Sequence, residues 1–279
     1  MSSAFPFVSV LTPTYNRRRY LQGAIECFKA QTYPMNRMEW VILDDGTDAV
    51  GDVFTGLSNV RYVRVDTGKM TIGAKRNKLT DLAVGDICVC WDDDDYYPPD
   101  RVKKAVQRLR SVKDGKKNAP IAGASQAMLY YTTLDEIYMI GPFMKNHATN
   151  GTMAYWRSYA QENRYDESAE KAEERKFTKE WATPLLQMDP RDVMLVICHN
   201  ENTVSKMAIL ERPPPGFRKT TLKLKNIVKS ETLREMYKSW GEHYALEEEE
   251  TPAIQVSEVP GVAAEAPAEA PEVAPAEET

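Results

Sequence analysis

Short apolar runs and helical stripes alternate along the first hundred residues. Phe7-Val8-Ser9-Val10-Leu11 predicts a strand that ends in Thr12-Pro13-Thr14-Tyr15-Asn16. Tyr20, Leu21, Ala24, Ile25 and Phe28 then recur at helical spacing. Trp40–Leu43, Val60–Val65 and Ile87–Trp91 predict three further strands, the first ending at Asp44-Asp45-Gly46 and the last at Asp92–Asp95. A helix is expected over residues 73–84. Another opens after Pro98-Pro99, with Val102, Ala105, Val106 and Leu109 on one face. Continuous apolar strands that alternate with helices predict an α/β fold, a Rossmann-like, mostly parallel sheet covered by helices on both faces.

Beyond residue 120 the pattern becomes mixed. Residues 126–141 predict strand–turn–strand, Val193–Cys198 a late strand, and residues 221–246 a helical piece. The chain therefore divides into a ligand-binding half (1–118), a smaller mixed half of the same domain (119–215), a helical extension (216–246) and a tail (247–279). The tail holds ten Glu, five Pro and no Lys or Arg. It cannot bury enough apolar surface to offset chain entropy, which predicts disorder.

Composition narrows the class. At 42% apolar and 28% charged residues the chain is globular. No apolar run approaches the roughly 20 residues of a membrane span. The start shows no basic region followed by an apolar stretch, and four sparse cysteines form no CxxC pair. A reducing cytoplasmic setting is expected, in a bacterium or, for a viral protein, in its host. The net charge of −5 hides an asymmetry: the first 246 residues carry +5, which suits an anionic ligand.

Three polar motifs, Thr12–Asn16, Asp44-Asp45 and Asp92–Asp95, each come directly after an apolar strand. Ligands of open parallel sheets bind beyond the carboxyl ends of the strands. Four adjacent carboxylates after a buried strand call for a compensating cation, and hard oxygen ligands suit Mg2+ or Mn2+; the same letters also describe a solvated acidic loop that caps the next helix. Read as residues alone, Asp44-Asp45-Gly46 equally describes a turn, and Lys75-Arg76 a solvated helix face.

Val8–Asn16, Val41–Thr47, Gly73–Asn77 and Gly85–Arg101, in that order and spacing, resemble the nucleotide-sugar-binding half of a family 2 glycosyltransferase of GT-A fold. The resemblance covers roughly the first 110 residues. It implies that Pro13 and Tyr15 contact the nucleoside, that Asp44 or Asp45 bonds the base, and that Lys75 and Arg76 lie near the base or diphosphate. It implies that Asp92-x-Asp94 is the DxD motif, with Asp94 the direct metal ligand and Asp92 touching ribose or metal-bound water. Asp93 stands where the family has a small residue. The family's catalytic base, a carboxylate just before a helix in the second half, corresponds best to Glu174 and then to Glu173. His199 is the candidate third metal ligand, His147 is placed toward the acceptor, and Trp156 and Trp181 are candidates for sugar stacking.

The function so implied is metal-dependent transfer of a sugar from a nucleoside diphosphate sugar to an acceptor hydroxyl, with inversion. The acceptor would be a glycan, a protein or a modified nucleic acid, and the sequence gives no oligomeric state. Two alternatives stand beside it. One is a sugar-1-phosphate nucleotidyltransferase, although the loop after the first strand lacks that class's glycines. The other is a non-catalytic nucleotide-sugar-binding scaffold.

Overall fold

The computed structural model describes residues 5–111, 119–203 and 205–250, the last nine by backbone alone. In chain order the elements are β1 (Val8–Thr14), α1 (Arg18–Lys29), β2 (Met38–Asp44), β3 (Val60–Arg64), α2 (Ile72–Leu82), β4 (Ile87–Cys90) and α3 (Arg101–Arg110). Next come β5 (Ile121–Gly123), β6 (Ala127–Tyr131), β7 (Glu136–Ile140), β8 (Ala154–Trp156), α4 (Arg157–Glu162), α5 (Glu174–Phe177) and β9 (Leu185–Gln187). The described chain ends with β10 (Leu195–Cys198), α6 (Met207–Glu211), β11 (Arg218–Lys219), α7 (Leu224–Ile227) and α8 (Glu231–Glu250).

Seven strands form the main sheet in the order β3-β2-β1-β4-β8-β5-β9. The run β3-β2-β1-β4 is parallel. β8 runs antiparallel to both its neighbours, and β9 is parallel to β5. β1 is buried at every position, as a central strand between two partners must be. Alternation along the strands sorts side chains to two faces. Val8, Val10, Trp40, Ile42, Ile87 and Val89 meet α1 and α3 on one face. Leu11, Val41, Leu43, Cys88 and Cys90 meet α2 and α4 on the other. The α/β architecture expected from the apolar pattern, a mostly parallel sheet with helices on both faces, is therefore present.

A second sheet, β10-β6-β7-β11, supplies the mixed part. The joint between the sheets is the acidic loop itself. Tyr96 and Leu195 exchange backbone hydrogen bonds (3.0 and 2.9 Å), and the buried Asp95 carboxylate accepts the Ile197 N–H at 2.9 Å.

The C-terminal extension is part of the same core. α8 packs on α1, where Gly23 leaves room for Tyr237 and Trp240. Trp240 meets Tyr20 edge-on at 4.7 Å and His199 at 5.7 Å. The backbone of α8 continues through Glu247–Glu250, the first four residues of the expected tail; residues 251–279 lie outside the described residues.

Trp240 is 4% exposed. Trp240→Ala is expected to lower unfolding stability by about 3–5 kcal/mol, read from the urea midpoint at constant slope.

Candidate functional site

β1, β2 and β4 point their carboxyl ends the same way, so the loops after β1 and β4 open on one cleft. This cleft holds about 470 Å³. It is lined by Pro13, Tyr15, Arg17, Arg76 and Asp92–Asp95, by Glu173 and Glu174, and by apolar side chains of the second sheet, among them Ala127, Leu129 and Ile140.

The acidic loop dominates its electrostatics. Burial first, then mutual repulsion, drives these carboxyls apart in proton affinity. Asp93 is pushed up to about 7 by burial and by Asp94, eased by Arg17. Its Oδ2 is buried without a hydrogen-bond partner. Asp92 is raised by burial, against the pull of Arg76, and Asp95 is raised well above the carboxylate range by burial and by Asp94 and Asp92. Asp94 alone goes down: burial opposes, but His199 and Arg17 outweigh it.

His199 is positioned by three elements. Its ring stacks on Tyr20 of α1 at 4.3 Å, its Nδ1 lies 3.1 Å from the Tyr20 hydroxyl, and Trp240 of α8 closes the edge. Its Nε2 faces Asp94 Oδ2 at 3.2 Å, and Asn202 bridges both. When Nδ1 carries the proton, Nε2 and Oδ2 are two lone-pair atoms in contact. That geometry is satisfied by a proton on Nε2 or by a cation between them. Among the described residues no ready-made cluster of three or more metal-ligating side chains is present. The donor types nevertheless fit a divalent ion of the Mn2+ or Mg2+ kind: carboxylate and imidazole, with excess buried negative charge beside them.

Arg76 on α2 ties the two halves together. It donates from Nε to Glu173 Oε1 (2.6 Å) and from an Nη to Asp92 Oδ1 (3.1 Å), and these charges hold its proton despite burial. The link depends on a close approach of α2 to the segment leading into Glu173. A Cβ on Gly73 would lie 1.7 Å from the Asp166 carbonyl oxygen, and Asn77 bonds the Tyr165 backbone in both directions (2.9 and 3.1 Å). Gly151 serves similarly at Asp92, where a Cβ would lie 2.5 Å from Oδ2.

Glu173 and Glu174 differ sharply. Glu173 is buried and committed to Arg76. Glu174, the first residue of α5, is half-buried and is raised to about 7 by burial and by Glu173. Of the two, it is the carboxyl suited to accept a proton near neutrality.

The structure thus gathers Pro13, Tyr15, Arg76, Asp92, Asp93, Asp94, Glu173 and Glu174 around one cleft, with His199 behind Asp94. Asp44, Asp45 and Lys75 lie behind its wall. Asp44 is fully buried and accepts from Gly46 N, Val50 N and the Tyr62 hydroxyl (2.8, 3.2 and 2.6 Å), with Arg64 at 3.2 Å. Asp45 pairs with Lys75 and accepts the Met70 N–H at 2.5 Å, while Lys75 also donates to the Thr14 carbonyl at 3.0 Å.

Trp156 pairs in register with Ile87, at the opposite end of β4 from the aspartates. Trp181 packs on His147, and His147 on Phe143, outside the acidic centre. Arg17 and Asn202 were not singled out by the sequence. The signal for Asn202 was its place three residues after His199, that for Arg17 its place directly after the Tyr15-Asn16 motif.

The architecture and the acidic loop define a GT-A fold. Comparison with known proteins carries this further: residues 9–116 match the glycosyl transferase family 2 profile. A Bacillus subtilis protein named as a teichuronic acid biosynthesis glycosyltransferase, TuaG, is 29% identical over 114 residues, 38% of this chain and 43% of TuaG. Glycosyltransferase AglE of Haloferax volcanii is 29% identical over 98 residues, 34% of this chain and 32% of AglE. This chain therefore spans less than half the length of these relatives. Among solved structures, a mannosyltransferase of Pyrobaculum calidifontis in complex with GDP-mannose and Mn2+ superposes with TM-score 0.55 at 17% identity, covering 72% of this chain and 59% of that one. The Staphylococcus aureus protein TarS (residues 1–349) with UDP-GlcNAc gives 0.51 at 18%, covering 68% and 58%. At such identities the likeness is one of fold.

Gly73→Ala would force α2 away from the Asp166 backbone. It is expected to cost about 1–3 kcal/mol, measured by thermal or urea unfolding.

Proposed function

We propose that this protein transfers a sugar from a nucleoside diphosphate sugar to an acceptor hydroxyl, inverting the anomeric carbon in a single displacement. The observation that carries the reading is the pairing, across one cleft, of the Asp92–Asp95 loop with Glu174. The match of residues 9–116 to the family 2 profile and the nucleotide sugars held by neighbours of the same fold support it.

The nucleoside would lie against Pro13 and Tyr15. Lys69, which lines the cleft, sits 5.0 Å from the Tyr15 ring centroid, so that face combines an aromatic surface with positive charge. Asp94, Asp92 and His199 would hold Mn2+ or Mg2+, which supplies charge neutralisation at the diphosphate. Arg76 acts on the enzyme side of the reaction. It holds Asp92 and Glu173 in place through ion pairs, and leaves Glu174 as the neighbouring carboxyl that burial raises to about 7.

In the reaction the acceptor oxygen forms the new bond to the anomeric carbon. The bond from that carbon to the terminal phosphate oxygen breaks, and its electron pair remains on the diphosphate. The acceptor proton passes to Glu174. The apolar wall of Ala127, Leu129 and Ile140 excludes water from this region, which favours transfer over hydrolysis. The acceptor is a carbohydrate or another hydroxyl-bearing molecule that would enter next to Glu174.

Incubation with UDP- and GDP-sugars and Mn2+ tests the reading. Release of the nucleoside diphosphate is expected, whereas release of pyrophosphate or of no nucleotide would refute it. Because Glu174 must be ionised to accept a proton, and burial raises its pKa, kcat/KM is expected to rise with pH through an apparent midpoint near 7. Glu174→Gln should lower kcat by about 10²- to 10⁴-fold and abolish that dependence. Asp94→Ala, or removal of divalent ions by chelation, should eliminate turnover while circular dichroism stays that of the folded protein.

A further inference from the structure

We infer that Arg17 is the side chain that binds the diphosphate directly and stabilises it as the leaving group. This rests on the transferase reading of the same cleft. It assigns the role to a residue other than Lys75 or Arg76, the cations that the sequence pattern brings forward.

Lys75 and Arg76 are already committed to carboxylates. Lys75 is 5% exposed and directs its charge to Asp45 and the Thr14 carbonyl, behind the cleft wall. Arg76 reaches the cleft, but its Nε and one Nη bond Glu173 and Asp92. Only its remaining Nη is left for a phosphate, and turning the whole guanidinium to a ligand would break a buried ion pair, which is costly.

Three consecutive arginines open α1, and their surroundings separate them. Arg18 is forked onto Asp48 (2.7 and 2.9 Å) and Asp52 (2.8 and 3.0 Å). Arg19 holds Glu201 at 3.1 Å. Arg17 has carboxylates only beyond hydrogen-bond range, Asp94 at 3.7 Å and Glu201 at 3.9 Å, and its Nη1 is buried without a hydrogen-bond partner.

Arg17 also lies where the leaving charge would develop. It lines the cleft beside Asp93 and Asp94, and those two carboxylates hold its charge against burial. It occupies the N-cap position of the twelve-residue α1, whose first turn carries no acid, so the positive end of the helix dipole adds to its field. Tyr20 supports the guanidinium from one side, with the ring centroid 5.4 Å away. Lys206 lines the cleft as well, with a smaller effect on Asp94 than Arg17 has. A buried guanidinium nitrogen with an unmet donor, next to the metal-ligand candidates, is suited to a phosphate oxygen. Glu201 would then remain with Arg19 when Arg17 turns to the ligand.

The test is calorimetric titration of the full chain with uridine, UDP, guanosine and GDP, in the presence of Mn2+, and with Mn2+ alone. The wild type is expected to bind one diphosphate more tightly than its nucleoside. Arg17→Ala should lower affinity for that diphosphate by about 10- to 100-fold and leave nucleoside affinity unchanged, a loss typical of one charge-assisted bond. Arg17→Lys should fall between. Affinity for Mn2+ alone should not drop, because removing a cation beside Asp94 does not weaken a cation site. With a donor sugar, kcat should fall by about 10²- to 10³-fold.

Wild-type diphosphate affinity in both Arg17 variants would overturn the inference. So would equal losses for nucleoside and diphosphate, or a loss of Mn2+ affinity, since either would make Arg17 a positioning residue. A wild type that binds neither UDP nor GDP would remove the transferase reading itself, and this inference with it.

Discussion

Four carboxylates in sequence after a buried strand set the terms for everything around them. Like charges at this density cannot all remain ionised under cover without help, and the fold supplies that help from several directions. Arg76 comes from α2, Arg17 from the start of α1, His199 from the loop after β10, and a backbone N–H of β10 answers Asp95. These compensating groups come from separate parts of the chain, so the acidic loop acts as the knot by which separate layers are held in register.

The same constraint divides labour among residues that look alike. Glu173 and Glu174 are adjacent and chemically identical, yet one is neutralised by a guanidinium and the other is left with a carboxyl poised near pH 7. Asp93 and Asp94 separate in the opposite sense, one raised to about 7 and the other lowered. Paired groups driven to different proton affinities are how a single cleft can both hold a cation and accept a proton.

Much of this was legible in the sequence, for physical reasons that differ by element. β1, β2 and β4 are buried on both faces, so they read as continuous apolar runs, and the loops that leave their carboxyl ends must lie at the same sheet edge. Glu173-Glu174 was visible only through family resemblance, because a surface helix uses the same letters. The direction in which a polar side chain points was not legible at all. Asp44, Asp45 and Lys75 stand in the expected loops and helix, but Asp45 and Lys75 turn toward each other and Asp44 toward Tyr62 and Arg64, and these partners are distant in sequence. The arginines at 17, 18 and 19 are indistinguishable as letters. Only the placement of Asp48, Asp52 and Glu201 tells them apart.

Tyr20, His199 and Trp240 form a stack of rings drawn from the first helix, a late loop and the last helix. The imidazole that leans on Asp94 is therefore braced by aromatic rings contributed from both ends of the folded body. The stretch shared with the family, residues 9–116, includes the aspartates and Tyr20 but neither His199 nor Trp240. An isolated fragment of that stretch would keep the acids and lose their brace. In this chain the most charged loop of the matched stretch is braced by residues that lie outside it.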